Sequence, residues 1–233
     1  MSDRRAELSG RMAGERTHAG VPVAPEMPTE LAPAELTELA HDARLLEVKL
    51  DQAGLAGGWA VGVSIRSAAL HVVDLSSSEL EELHVLDATL RGCNLANVQA
   101  RRASLVRVAV TGCRLTGISL FEAFVRDVTF AGCRIDLASF GSSRLQQVTF
   151  EDCVLTQTDF LQSELQSVRF HGCDLRQADF RGAQLDRCEL RGCDLEGAHG
   201  VDRLAGCAMP WPDIVQHAGT WAAALGIEVL GDE

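Results

Sequence analysis

Hydrophobic residues recur at every fifth position along most of this chain. From Leu45 to Leu195, every fifth residue is Leu, Ile, Val, Phe or Ala. The positions two residues earlier, from Ala43 to Cys193, are small or apolar and never charged. A period of five fits neither a helix with 3.6 residues per turn nor a flat strand with alternating faces. We therefore predict that the chain turns a corner every five residues, with one apolar and one small side chain pointing inward each time.

A second period, of twenty residues, is superimposed on the first. Six cysteines recur at this spacing: Cys93, Cys113, Cys133, Cys153, Cys173 and Cys193. Two phenylalanine series do the same: Phe130, Phe150 and Phe170, and Phe140, Phe160 and Phe180. Because twenty is four fives, the pattern predicts a coil with four sides of one pentapeptide each. Successive coils would pair like parallel strands, ~4.8 Å apart, in a single elongated core of nearly eight coils.

The pentapeptides are similar to a known repeat. Residues 173–177 read CDLRQ and residues 178–182 read ADFRG, and both resemble the A(D/N)LXX consensus of the pentapeptide-repeat family. The resemblance covers roughly residues 43–198 in unbroken register. It implies an all-β fold, a right-handed quadrilateral parallel β-helix. The weakest repeats have Ala60 or Ala100 at the central position, where we expect underpacking.

The segments that flank the repeat lack the five-residue period. In residues 1–42, the prolines and charged residues of 1–30 predict a disordered tail, and residues 31–42 predict a short helix that covers the first coil. Residues 199–233 predict a helix with Asp213 as N-cap and Gly226 as stop, followed by a short strand over 227–230.

The predicted C-terminal helix carries an apolar stripe. Its members are Ile214, Ala218, Trp221, Ala222 and Leu225. The last coil of a solenoid has an open sheet edge that needs a cover. The stripe therefore either caps the rod within the chain or forms the seam of a homodimer, and the sequence leaves both alternatives open.

Composition excludes several classes of function. A formal net charge of −12 argues against direct nucleic-acid binding through phosphate neutralisation, and the lack of Tyr argues against a base-stacking platform. No apolar run is long enough for a membrane helix, and no secretory signal is visible. We expect a cytoplasmic protein with reduced thiols and no membrane partner.

The residues that could carry chemistry are better explained as structure. The spaced cysteines fall on the inward small-residue phase, where buried Cys acts as a small hydrophobic residue, and there is no CxxC pair with zinc spacing. Cys207 lies outside the register and is the better candidate for a reactive thiol. The seven histidines lie in tails or outward phases and are expected to be solvated. We therefore expect no enzyme activity and no catalytic, cofactor or metal site.

A few apolar residues occupy outward phases. They are Leu86, Val106, Phe121, Phe124 and Leu161. On neighbouring coils these side chains could form one apolar strip, and exposed apolar patches often mark partner sites. We predict a protein-binding strip here.

The long unbroken rod and the C-terminal helix are similar to gyrase-directed, fluoroquinolone-resistance members of the family, of the loopless mycobacterial type. The resemblance implies mimicry of DNA and binding to DNA gyrase. The charge is divided equally: residues 1–42, 43–198 and 199–233 each carry a net −4, so the rod has the lowest charge density. The alternative is a general interaction scaffold or self-resistance accessory with no topoisomerase target.

Overall fold

The chain forms a four-sided parallel β-helix of about eight turns, as the periods predict. A computed structural model describes residues 20–35 and 39–230. The longer strands are β5 (Ser64–His71), β7 (His84–Arg91), β8 (Ser104–Thr111), β9 (Phe124–Ala131) and β10 (Arg144–Glu151). The shorter strands are β1 (Ala32–Pro33), β2 (Arg44–Leu46), β3 (Val48–Asp51), β4 (Trp59–Val61), β6 (Glu79–Glu81), β11 (Glu164–Gln166), β12 (Arg169–His171), β13 (Gln184–Asp186) and β14 (Glu189–Arg191).

Strands within the repeat pair in parallel with partners twenty residues away. Leu145, for example, pairs with Val125 on one side and Leu165 on the other. The longer strands span two sides of the coil, while the other two sides pair mainly through isolated bridges such as Asn94 to Arg114. The corners adopt left-handed backbone angles, with φ 59° at Gly112 and 49° at Arg107. Because a non-glycine residue there costs roughly 1–2 kcal/mol, ladder pairing and core packing have to offset that cost at many corners.

The phenylalanine series form two stacked ladders in the second half of the rod. The rings of Phe130 and Phe150 lie 5.0 Å apart and 6° from parallel, and those of Phe150 and Phe160 meet edge to face at 6.4 Å. Both geometries are favourable for aromatic rings. The six cysteines that recur every twenty residues are buried as predicted; the Sγ of Cys193, for example, lies 3.2 Å from the carbonyl oxygen of Phe170.

The first half of the rod is less completely filled, because its central positions carry smaller aliphatic residues rather than Phe. An apolar cavity of about 60 Å³ is lined by Leu80, Ala100 and Leu120, among others. The expected underpacking is therefore present at Ala100, whereas Ala60 does not line this cavity.

The N-terminal flank differs from the expectation. No helix covers residues 31–35 or 39–42; instead Ala32 and Pro33 form β1, which pairs in parallel with Val48 and Lys49 of the first coil. The free edge of that coil offers backbone acceptors, and the amide of Ala32 donates to the Glu47 carbonyl at 2.9 Å. Pro33 also disfavours a helix interior. Residues 36–38 of the predicted helix lie outside the described residues.

The predicted tail is also partly ordered. Residues 20–30, called the strap here, lie against the β-helix through hydrogen bonds from Val23 and Glu26 to side chains of distant coils. A segment with no period can still be held by its backbone, which composition does not reveal. Residues 1–19 lie outside the described residues.

The C-terminal module contains a 3₁₀ helix (Val201–Leu204) and two short helices, α1 (Trp211–Gln216) and α2 (Ala218–Ala224). The helices meet at His217, and Gly226 follows with φ 69°. The N-cap of α1 is Pro210 rather than Asp213. Residues 227–230 are not a strand, which corrects the expectation for that segment.

Candidate interaction surfaces

The C-terminal module bonds directly to the last coil. Asp213 Oδ2 accepts a hydrogen bond from the Gly192 amide at 2.6 Å, and the Nε2 of His217 lies 2.8 Å from the Cys193 carbonyl oxygen. Ala208 continues the ladder, with its amide donating to the Cys188 carbonyl at 2.9 Å. These bonds satisfy edge groups that a terminal coil leaves open. They also explain why Asp213 is not the N-cap.

His217 corrects the expectation that all histidines are solvated. Its residue exposure is only 7%. The sequence shows an isolated His on a short helix, with its partner carbonyl more than twenty positions away. Only the position of α1 and α2 against the last coil reveals this contact.

Some residues of the predicted apolar stripe are partly buried, and others are exposed to solvent. Ile214, Trp221 and Ala222 are half-buried, while Ala218 and Leu225 are exposed. Trp221 packs against the core and its Nε1 donates to the Ile214 carbonyl at 3.1 Å. The module nevertheless exposes large apolar side chains over more than half of their surface: Trp211, Val215, Leu225, Ile227, Val229 and Leu230. Covering the last coil of the rod therefore uses only part of the apolar surface of the module.

Cys207 lines a cavity of about 320 Å³ between the 3₁₀ helix and the two α-helices. Because Ala208 pairs with Glu189, Cys207 and Cys188 face each other across the last step of the ladder. Hydrogen bonding to Cys188, together with burial, raises the pKa of the Cys207 thiol. The thiolate is the reactive form of cysteine, so this environment disfavours the reactivity that the sequence suggested.

The five residues of the predicted apolar strip fall into two groups. Leu86 pairs with Val106 on the β7–β8 ladder. On the next coil Val106 pairs with Arg126, and Phe124 lies two residues before Arg126. Phe121 and Leu161 lie on the preceding side, two coils apart, and a Cβ at Gly141 would lie 3.2 Å from the Phe121 ring. Leu161 is 40% exposed, and the other four are half-buried.

Arginine side chains lie over both phenylalanines of this strip. The guanidinium of Arg101 lies 5.2 Å from the centre of the Phe121 ring, and that of Arg126 lies 5.7 Å from the centre of the Phe124 ring. Such cation–π contacts shield part of each ring from water. The strip therefore combines apolar surface with positive charge.

One corner of the β-helix carries a row of polar residues, which we call the corner row. Its members are Ser67, Asp87, Arg107, Asp127, Gln147, Ser167 and Arg187, all with φ between 49° and 55°. Arg107 donates to both carboxylate oxygens of Asp87 at 2.6 Å, which is the main reason that the pKa of Asp87 is lowered.

The strap lies on the corner row. The Glu26 amide donates to Asp87 at 2.9 Å, and the Val23 amide donates to Asp127 at 3.1 Å. The two carboxylate side chains are only 6% and 10% exposed. Sequence reasoning missed this surface, because the corner phase varies freely among charged, amide and hydroxyl residues.

Many charges on the rod lie in short ion pairs. Arg176 contacts Asp174 at 2.6 Å, and Arg181 contacts Asp179 at 2.6 Å. Arg144 contacts Glu164 of the next coil at 2.7 Å. The faces thus show rows of mixed charge, not a continuous acidic strip.

Among residues 20–35 and 39–230, no group of three or more His, Cys, Asp and Glu side chains is arranged to hold a metal ion. Within the same residues, no helix has the length and apolar character needed to cross a membrane.

Two family models match the chain, and both describe the repeat. The model of the pentapeptide repeat region matches residues 125–199, and the model of eight copies of the pentapeptide repeat matches residues 87–120. No curated protein matches the chain significantly.

Solved pentapeptide-repeat structures are similar to parts of the fold. HetL from Nostoc sp. strain PCC 7120, involved in regulation of heterocyst differentiation, is 22% identical, with 73% of this chain and 91% of HetL covered and a TM-score of 0.39. QnrB1, a plasmid-mediated fluoroquinolone resistance protein, is 16% identical in its trypsin-treated M102R form, with 83% and 99% covered and a TM-score of 0.42.

The unbroken register, the four-sided coil and the two matching family models agree with one another. The repeat that the models describe is the one whose inward positions build the ladders of this core. The chain therefore contains a region of pentapeptide repeats, which the family models match over residues 87–120 and 125–199.

Proposed function

We propose that this protein is a non-catalytic interaction rod that presents fixed rows of side chains to a protein partner. The observation that supports this most strongly is that the inward side chains pack against one another, with the central residues Phe140, Phe160 and Phe180 fully buried. Inward side chains serve packing, so function is left to the outer rows and the termini. Those rows are rigid because every coil is paired to its neighbours.

The partner that the sequence resemblance suggests is DNA gyrase, in the cytoplasm. In this form of the proposal the rod mimics duplex DNA and binds the saddle that normally holds a DNA segment, so that gyrase is modulated or protected from fluoroquinolones. The acidic C-terminal module, with a net −4 over residues 199–233, supports binding to a basic surface. Because the charges of the rod are paired, we expect it to bind the saddle through its shape and through contacts of mixed charge, and not as a purely acidic mimic of DNA. Without a topoisomerase target, the rod remains an interaction scaffold.

A gyrase supercoiling assay with relaxed plasmid, with and without a fluoroquinolone, tests this partner. We expect micromolar protein to change the supercoiling rate or to relieve drug-induced inhibition. Replacing Phe121 and Phe124 with Ser should weaken that effect at least about threefold, because about 1 kcal/mol of apolar contact is lost. The matched control is Leu137→Ser, which alters an apolar side chain that is 57% exposed and lies outside the strip.

Unchanged gyrase activity at micromolar protein would remove gyrase as the partner. An effect that survives the double Ser variant would retain gyrase and remove the strip as its binding site.

We further propose that the exposed apolar part of the C-terminal module joins two copies of the chain. The supporting observation is that Leu225 and Leu230 are 76% and 82% exposed although the module already caps the rod.

Analytical ultracentrifugation should show a dimer. The double variant Leu225→Glu with Leu230→Glu should raise the Kd of the dimer at least tenfold, since a buried unpaired charge is costly. Leu46→Glu, on an exposed leucine of the first coil, is the control. A wild-type monomer at 100 μM would overturn this seam.

A further inference from the structure

The strap crosses the coils of the β-helix instead of following them. Val23 and Glu26 are three positions apart in the sequence, while their acceptors Asp127 and Asp87 lie two coils apart. Two coil spacings amount to ~9.6 Å, or ~3.2 Å per residue, which is the rise of a fully extended chain. The strap therefore binds as an extended peptide whose rise per residue matches the spacing of the coils.

Recognition of the strap uses its backbone. Both described contacts are amide donors to carboxylates, and the side chain of Val23 stays 51% exposed. A peptide with another sequence could make the same two bonds if amides three residues apart face the row. The corner row thus has the general chemistry of a peptide-binding surface.

The charges of the row explain why it needs an occupant. Asp87 has Arg107 as a close partner, while Asp127 has Arg126 at the longer distance of 3.6 Å. A buried carboxylate that loses a donor is destabilised, so amides from a covering chain stabilise this corner.

The row continues beyond the start of the strap. Next to Gly20 lies a cavity of about 310 Å³, lined also by Gln146, Gln147, Gln166, Ser167 and Arg187. Hydroxyl and amide groups here can bond to a peptide backbone. Among residues 20–35 and 39–230, this surface therefore has room for an extended segment longer than the strap.

We propose that the corner row is a binding track for an extended segment of a protein partner that presents two backbone amides three positions apart, and that the strap occupies this track in cis and must be displaced. The partner segment would place two amides, three positions apart in its sequence, on Asp127 and Asp87. This inference does not depend on gyrase or on the C-terminal seam.

The test releases the strap without changing the track. Val23→Pro and Glu26→Pro together remove the two donor amides but keep an extended backbone, since each new proline follows an existing one. Ala24→Pro is the matched control between them. The probe is a fluorescent peptide with the wild-type sequence of residues 20–30, titrated by anisotropy into the full-length variants.

We expect the released variant to bind the peptide at least tenfold more tightly than the wild type or Ala24→Pro, whose own straps compete at the high effective concentration of a tether. Adding Asp87→Ser and Asp127→Ser should abolish this gain. Serine suits these corners, because Ser67 and Ser167 occupy the same row with similar φ. If circular dichroism shows that this variant is misfolded, Asp127→Ser alone in the released background takes its place.

No binding by the released variant would overturn the proposal. Equal binding by the wild type would show that the strap does not close the track, and equal binding after loss of the carboxylates would show that the peptide lies elsewhere. Either result also overturns it.

Discussion

Replacing Phe150 with Ala should destabilise the β-helix by about 3–5 kcal/mol, the cost typical of a large aromatic side chain removed from a close-packed core. Phe150 is fully buried and stacks on Phe130 at 5.0 Å and on Phe170 at 5.1 Å. It also meets Phe140 and Phe160 edge to face. The substitution therefore interrupts one ladder, removes its edge contacts with the other, and leaves a cavity that paired coils cannot collapse to fill. Urea unfolding followed by circular dichroism measures the effect.

Phe124→Ala is the control for this experiment. Phe124 is half-buried on an outer row with Arg126 over its ring, so we expect a loss of about 1 kcal/mol or less. A Phe150→Ala loss as small as that of the control would mean that the ladders do not hold the rod together. Solenoids can unfold in segments, so a second transition in the variant would place the break at the middle coils.

The sequence alone predicted the interior of this molecule well, for a physical reason. A ladder stacks equivalent residues, so the spacing of Cys133, Cys153 and Cys173 along the chain is also their order in space. The four-sided coil and the burial of these cysteines follow from that periodicity. The underpacking at Ala100 was predictable in the same way.

The surfaces were less predictable, because the period leaves outward positions free. Nothing in the sequence links Glu26 to Asp87 or Val23 to Asp127, since these bonds use backbone amides and acceptors 61 and 104 residues away. The first coil likewise pairs with Ala32 and Pro33, where local pattern favoured a helix. Both misses occur where free polar groups of the β-helix, and not local propensity, determine the conformation.

Gly200→Ala should detach the C-terminal module, at a cost of about 2–4 kcal/mol. Gly200 has φ 66°, and a Cβ there would lie 2.5 Å from the Arg181 nitrogen and 2.7 Å from the Phe180 carbonyl carbon. These are backbone atoms of the preceding coil, so they cannot rotate away as a side chain could. The last coil and the 3₁₀ helix must separate to admit the methyl group.

The module's own tryptophans make this detachment measurable. In a Trp59→Phe background, fluorescence reports only Trp211 and Trp221, and Gly200→Ala should give an early unfolding transition in fluorescence but not in circular dichroism. Gly206→Ala is the control, because it has φ 92° but no atom within 4 Å of the added Cβ, so only backbone strain of about 1–2 kcal/mol is expected. If both variants unfold alike, contact between Gly200 and the Phe180–Arg181 peptide does not hold the module. If only Gly200→Ala separates the two signals, the cap is anchored at this single close approach, and its bonds through Asp213 and His217 depend on it.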